Sequence, residues 1–203
     1  MNPYERIVMS RTSQIGISNG QPGSTAACLQ VDSEMVWLAP FIDKLRPKTI
    51  LEIGIYKCGW PYILCPWFAE DAHIIGIDSM VRHRQDGGRH ELDEMMARLQ
   101  ADGFMVSIFE NRSDAPSTLN AMLALRGEVD LLHIDGAHSY EDVLFDWQNY
   151  GPLVRPAGLV VLHDIGTQTS QMNVKRLWGE IVADFPGRTH ECYEMNGIGV
   201  VEM

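Results

Sequence analysis

The sequence predicts an α/β protein: a single doubly wound sheet of seven strands, mostly parallel, with an antiparallel hairpin at its C-terminal end. Three observations predict it. Short apolar runs without polar alternation read as strands buried on both faces. Amphipathic helical stretches separate them, and strand–helix alternation folds into an open parallel sheet with helices on both sides. The last two strand-like pieces are joined by Met195-Asn196-Gly197, a hairpin-type connection.

The elements follow in chain order. Residues 1–30 become rich in Gly, Ser, Gln and Thr and show no sustained period. They are expected to form an irregular arm, disordered or laid across a ligand site, ahead of one domain over residues 31–203. Met35, Leu38, Ala39, Ile42 and Leu45 then recur at helical spacing after the capping signal Asp32-Ser33. Pro40 falls inside that helix and is expected to kink or split it. Strands are predicted at Thr49–Ile53, His73–Asp78, Met105–Glu110, Val129–Asp135 and Leu159–His163. Between them, Leu92, Met95, Met96 and Leu99 form one helical face, and Leu119, Met122 and Leu123 another. Tyr140, Val143, Leu144 and Trp147 form a third, stopped by Gly151-Pro152, and Val174, Leu177, Trp178, Ile181 and Phe185 a fourth. Two final strands are expected near Thr189–Glu194 and Gly197–Glu202, and the tryptophans are expected to be mostly core, with Trp60 near ligand.

Composition removes several function classes. The formal charge of −11 repels polyphosphate, so nucleic acid is not an expected partner. No apolar run reaches the ~18–20 residues of a membrane span, and MNPYERIVMS lacks a signal peptide's apolar core. Cys28, Cys58, Cys65 and Cys192 fall in neither a CxxC pair nor a zinc spacing. A reduced, cytoplasmic domain is the expectation, with homo-oligomerisation left open.

Ligands of such sheets bind past the carboxyl ends of the strands, where strand order reverses. After the first strand, Gly54 and Gly59 bracket Ile55-Tyr56-Lys57-Cys58 and allow a tight turn close to a ligand, though not at the spacing of a dinucleotide-binding fingerprint. Asp78, ending the second strand ahead of Ser79, is suited to accept hydrogen bonds from a ribose diol; alone it could equally cap a helix. Together the two features favour a nucleoside-containing ligand. The fourth strand runs into His133-Ile134-Asp135-Gly136-Ala137-His138-Ser139, and the fifth into His163-Asp164. Carboxylates with imidazole suit a divalent ion, and His138 is placed to act as a general base. The competing expectation is that Asp135 and His138 only cap the helix beginning near Ser139, and that His133 is a core residue. Residues 82–90 hold Arg82, Arg84, Arg89, His83 and His90, a basic island that would suit an anionic substrate or a solvated loop.

These segments, with Pro152-Leu153…Pro156-Ala157-Gly158-Leu159, resemble class I S-adenosylmethionine-dependent methyltransferases over residues 30–203. The branch is that of the macrocin and rhamnosyl O-methyltransferases and the cephalosporin hydroxylase-like proteins. The resemblance implies a Rossmann-like methyltransferase domain that binds S-adenosylmethionine. Glu52 and Gly54, with Tyr56 and Gly59 in the same turn, would line its methionine end. Asp78 and Ser79 would sit at its ribose, Asn111-Arg112-Ser113 by its adenine, and Asp135 beside it. By the same resemblance Asp135, His163 and Asp164 would hold Mg²⁺ or Mn²⁺, and Asp135 and His138 would be catalytic, His138 as the base. The chain departs from its relatives in carrying His163 for a carboxylate, Trp60-Pro61 for small polar residues, and Pro66 in the helix that follows. The implied reaction is methylation of an oxygen on a small hydroxylated molecule such as a sugar, polyketide or phenol. The alternatives are a nicotinamide-dependent oxidoreductase, which would need a third glycine in the first turn, and a cofactor-binding protein without catalysis.

Overall fold

The computed structural model describes residues 1–15, 30–81, 84 and 88–203. Strands β1 (Thr49–Ile53), β2 (His73–Ile77), β3 (Met105–Phe109), β4 (Val129–Ile134), β5 (Val154–His163), β6 (Thr189–Cys192) and β7 (Ile198–Glu202) form one sheet in the order β3-β2-β1-β4-β5-β7-β6. β1 to β5 are parallel, whereas β7 runs antiparallel to both β5 and β6. The seven-stranded, mostly parallel α/β class is therefore as the sequence predicts. The hairpin inserts its second strand next to β5 and leaves its first at the edge. Strand order reverses at β1, between β2 and β4, and this opens a cleft past their carboxyl ends.

Two apolar layers sandwich the sheet. On one face, α2 (Asp32–Leu45), α3 (Gly59–Phe68) and α4 (Arg89–Ala101) bury Leu38, Ile63 and Leu92 against Ile50, Ile74, Leu131 and Val161. On the other, α5 (Pro116–Met122), α6 (Tyr140–Tyr150) and α7 (Val174–Asp184) bury Val143, Leu177 and Trp178 against Leu51, Ile75, Leu132 and Val160. Alternation along the strands sends even-numbered β1 residues to the first layer and odd-numbered ones to the second. Glu52 therefore lies on the α3 side, and its register partner on β4 is His133.

Several details of the sequence reading are corrected. The arm is not irregular throughout, because α1 (Pro3–Ile15) is a helix. Tyr4, Ile7 and Val8 make a short helical stripe against α2 and α3, Val8 being fully buried, and the Tyr4 hydroxyl donates to Asp43 at 3.0 Å. So short a stripe gives little periodic signal in the sequence. Residues 16–29 lie outside the described residues. Pro40 does not split α2, which runs unbroken: its ring is on the exposed side, while Leu38, Ala39 and Ile42 hold the helix on the sheet. Pro66 likewise sits two residues before the end of α3 rather than interrupting it. β5 begins at Val154, five residues earlier than expected, and Trp67 is exposed rather than core.

Candidate active site

A cavity of about 580 Å³ occupies the cleft at the reversal point. Its walls are the turns after β1, β2, β3 and β4. Glu52, Gly54, Tyr56, Gly59, Asp78, Ser79, Arg112, Ser113, Asp135 and His138 all line it, together with Gln30 and Trp60. Gly54 is required by the fold before any ligand is considered. Its φ is +87°, and a Cβ there would overlap the Asp135 carbonyl of the neighbouring turn. Asp78 is held by the backbone, accepting from the Tyr56 amide at 2.9 Å and the Met80 amide at 2.7 Å, one on each carboxylate oxygen. Each oxygen keeps a lone pair for a ligand. Of the basic island, Arg84 donates to the Ser79 carbonyl at 3.1 Å and Arg89 pairs with Asp93 and Glu110. Arg82, His83 and residues 85–87 lie outside the described residues.

At the other end of the cavity, carboxylates and imidazoles converge. His138 Nε2 stands 2.9 Å from Asp164 Oδ2 and 3.4 Å from Asp135 Oδ1. His163 Nδ1 is 3.3 Å from Asp135 Oδ1, and its Nε2 is 3.1 Å from Glu34 Oε2. Asp164 adopts a left-handed backbone (φ +61°), unusual for a residue with a Cβ, which turns its carboxylate toward His138. Burial alone would raise the Asp135 carboxyl, but His163 and His138 together hold it well below the usual carboxylate range. Burial alone would lower His138, yet the bonds to Asp135 and Asp164 prevail and push it up to about 9. The helix-capping alternative loses its basis here, since Ser139 itself caps α6, its hydroxyl accepting from the Asp142 amide at 3.1 Å.

The carboxylates and imidazole that lie closest together are not the three the sequence suggested. Among the described residues, Asp135, His138 and Asp164 are the group whose ligand atoms all lie within 4.8 Å of one another. His163 lies beside this group, engaged by Glu34 and Asp135, with its Nδ1 3.7 Å from Asp164 Oδ1. Sequence reasoning missed Glu34 and Gln30. Gln30 donates to Asp135, and Glu34, almost fully buried, also accepts from the Gly197 amide at 3.2 Å. The signal for Glu34 was present: it precedes Leu38 and Ile42 at four-residue steps, a carboxylate on the apolar face of α2.

Behind the cavity's far end, the Tyr150 hydroxyl donates to the Ser113 carbonyl at 2.6 Å, and Asp146 lies buried beside it. Burial pushes Asp146 up to about 7 in spite of a hydrogen bond from Ser113. An unfolded chain would release this proton near the ordinary value of 3.8. Between that pH and about 7 the folded state binds more protons, so stability falls as pH rises and levels off above about 7. Asp146→Asn, which cannot ionise, is expected to gain on the wild type by roughly 3 kcal/mol between pH 4 and pH 8, measured by urea unfolding at both. A pH-independent difference would show that Asp146 is ionised in the fold.

The arrangement defines a doubly wound α/β protein with its ligand cleft at the reversal of strand order. A methyltransferase-domain family matches residues 51–165, from β1 to the turn after β5, and the chain belongs to that family. It is 28% identical over 164 residues to the uncharacterized protein y4gI of Sinorhizobium fredii, a match covering 76% of this chain. The chain spans only 18% of that relative's length. Among solved structures it superposes on the O-methyltransferase TomG from Streptomyces achromogenes, involved in tomaymycin synthesis and solved with SAM. The TM-score is 0.60 at 13% identity, over 100% of this chain and 90% of that one. It also superposes on the MycE methyltransferase of the mycinamycin pathway, solved with Mg, SAH and mycinamycin VI. There the TM-score is 0.59 at 18% identity, over 99% of this chain and 53% of that one. At these identities the likeness is one of fold. Among the described residues, no helix is long and apolar enough to cross a membrane.

Proposed function

We propose that this chain transfers a methyl group from S-adenosylmethionine to an oxygen of a small hydroxylated molecule. The observation that carries the reading is one cavity lined by Asp78 and also by Asp135 and His138, the two residues that come together with Asp164. The residues fit the cofactor. Asp78 has free lone pairs for a ribose diol, the Arg112-Ser113 turn offers polar backbone beside an adenine, and buried Glu52 has an oxygen without a partner at the methionine end. Bound there, the cofactor supplies an electrophilic methyl group. The nicotinamide alternative has no support in the family match, and turnover separates an enzyme from a passive cofactor binder.

The chain's own residues supply the rest. A hydroxyl is a poor nucleophile near neutral pH, so transfer to it gains from removal of its proton. His138 Nε2, at the cavity wall, takes that proton. Asp135 and Asp164 would hold a divalent ion, Mg²⁺ or Mn²⁺, which lowers the acceptor's pKa and orients it. Neutralising these two carboxylates also removes the charges that keep His138 protonated. A second reading is favoured by the tightness of the cluster: His138 is itself the third ligand of the ion, and the acceptor loses its proton to solvent. A cytoplasmic location and a small-molecule partner accompany the proposal.

Asp78→Ala tests the cofactor. Removal of a charged acceptor costs about 1.5–3 kcal/mol, so S-adenosylmethionine affinity is expected to fall roughly tenfold to a hundredfold by calorimetry, with the fold intact. Unchanged affinity would remove the ribose assignment, and preference of the wild type for NADH would overturn the methyl-transfer reading.

A further inference from the structure

Under the methionine end of the cavity lies a buried trio drawn from three elements: Glu52 on β1, His133 on β4 and Trp60 in the first turn of α3. Glu52 and His133 are register partners on the same sheet face, and His133 Nδ1 donates to Glu52 Oε1 at 3.0 Å. The Trp60 indole stacks on the imidazole, with ring centroids 4.8 Å apart and planes 18° from parallel. All three are at most 2% exposed, while Glu52 and Trp60 also border the cavity. The trio is not closed on itself, because Glu52 Oε2, His133 Nε2 and Trp60 Nε1 are buried without a hydrogen-bond partner.

A buried carboxylate oxygen left unpaired is costly, and a cationic donor is the group that relieves it. A carboxylate with free rotamers would turn away to water or to its own backbone. This one is prevented from doing so by a hydrogen bond across the sheet and by an aromatic lid on the donor of that bond. We propose that His133 and Trp60 are positioning residues: they fix the Glu52 carboxylate at the border of the cavity, so that this end selects ligands carrying a free ammonium group. The assignment rests on the S-adenosylmethionine reading and accounts for two features the reaction leaves unused. The imidazole inside β4 is the donor that orients a ligand-binding carboxylate rather than a core residue or a base. Trp60, where relatives carry small polar residues, is the lid that keeps this imidazole in place. Burial supports the arrangement by pushing Glu52 up to about 7, so that near neutral pH its charged form depends on a donor beside it.

The test compares two ligands of the same nucleoside, S-adenosylhomocysteine, which has the α-amino group, and methylthioadenosine, which lacks it. Calorimetry is run on the wild type, His133→Leu, His133→Asn and Trp60→Leu, with circular dichroism to check folding. His133→Leu is expected to weaken S-adenosylhomocysteine by about tenfold to a hundredfold and to leave methylthioadenosine within twofold. His133→Asn, whose amide N–H sits near the place of Nδ1, should restore most of the loss. Trp60→Leu keeps the hydrogen bond, folds independently of the Leu substitution on β4, and should give the same ligand-selective loss in smaller measure. Equal weakening of both ligands, or no weakening of either, overturns the positioning role. A wild type that binds neither ligand overturns the cofactor reading and this proposal with it, and so is distinguishable from failure of the trio alone.

Discussion

His138→Ala is expected to lower methyl-transfer turnover by about 10²–10⁴-fold, the range for loss of a positioned base, while S-adenosylmethionine affinity stays nearly unchanged. The imidazole lines the cavity, 2.9 Å from Asp164 and 3.4 Å from Asp135. The acceptor is whichever member of a hydroxylated panel the wild type methylates. Metal affinity measured on the same variant separates the two roles. If His138 is the base, Mg²⁺ or Mn²⁺ binding survives its loss; if it is the third ligand, binding weakens together with turnover. A catalytically normal His138→Ala would reject both.

Chelation is expected to abolish turnover, and added Mg²⁺ or Mn²⁺ to restore it. Asp164→Asn should reproduce the chelated state without added chelator, because it removes one of the two carboxylates facing the ion's place. His163→Asn should leave metal affinity within a few-fold. Its imidazole spans Glu34 and Asp135 and lies outside the set of three whose ligand atoms come together. Full turnover in excess EDTA would dismiss the ion and leave His138 acting alone between two carboxylates.

Much of this site is legible because it follows strand ends. An apolar run ending in a glycine, an aspartate or Asp-x-x-His marks the carboxyl edge of a parallel strand, and the turns after β1, β2, β3 and β4 meet in one cavity. The burial of Glu34 on the apolar face of α2 was legible, but the partners of the N-terminal residues were not. Gln30 reaches Asp135 across 105 positions of sequence, and Glu34 reaches His163 across 129, so no local spacing announces either contact. The same distance in sequence hid the choice between His138 and His163 as neighbours of Asp164. Adjacent numbering favours His163, yet its Nδ1 stays 3.7 Å from Asp164 Oδ1, while His138 Nε2 comes within 2.9 Å of Asp164 Oδ2.

The sequence by itself determined the α/β class, the seven strands, the one-sided helical faces and the candidate turns. Each of these depends on local periodicity and on which side chains avoid water, and such terms act within a few residues of the chain. Only the tertiary structure decided that β7 inserts between β5 and β6, that Pro40 is tolerated within α2, and that residues near the start of the chain become a helix. It also decided that Glu52 and His133, far apart in sequence, face each other under Trp60. The physical reason is common to all four. Each is a compromise in which burial against distant elements outweighs a local preference, and the partners of that burial exist only once the sheet has closed.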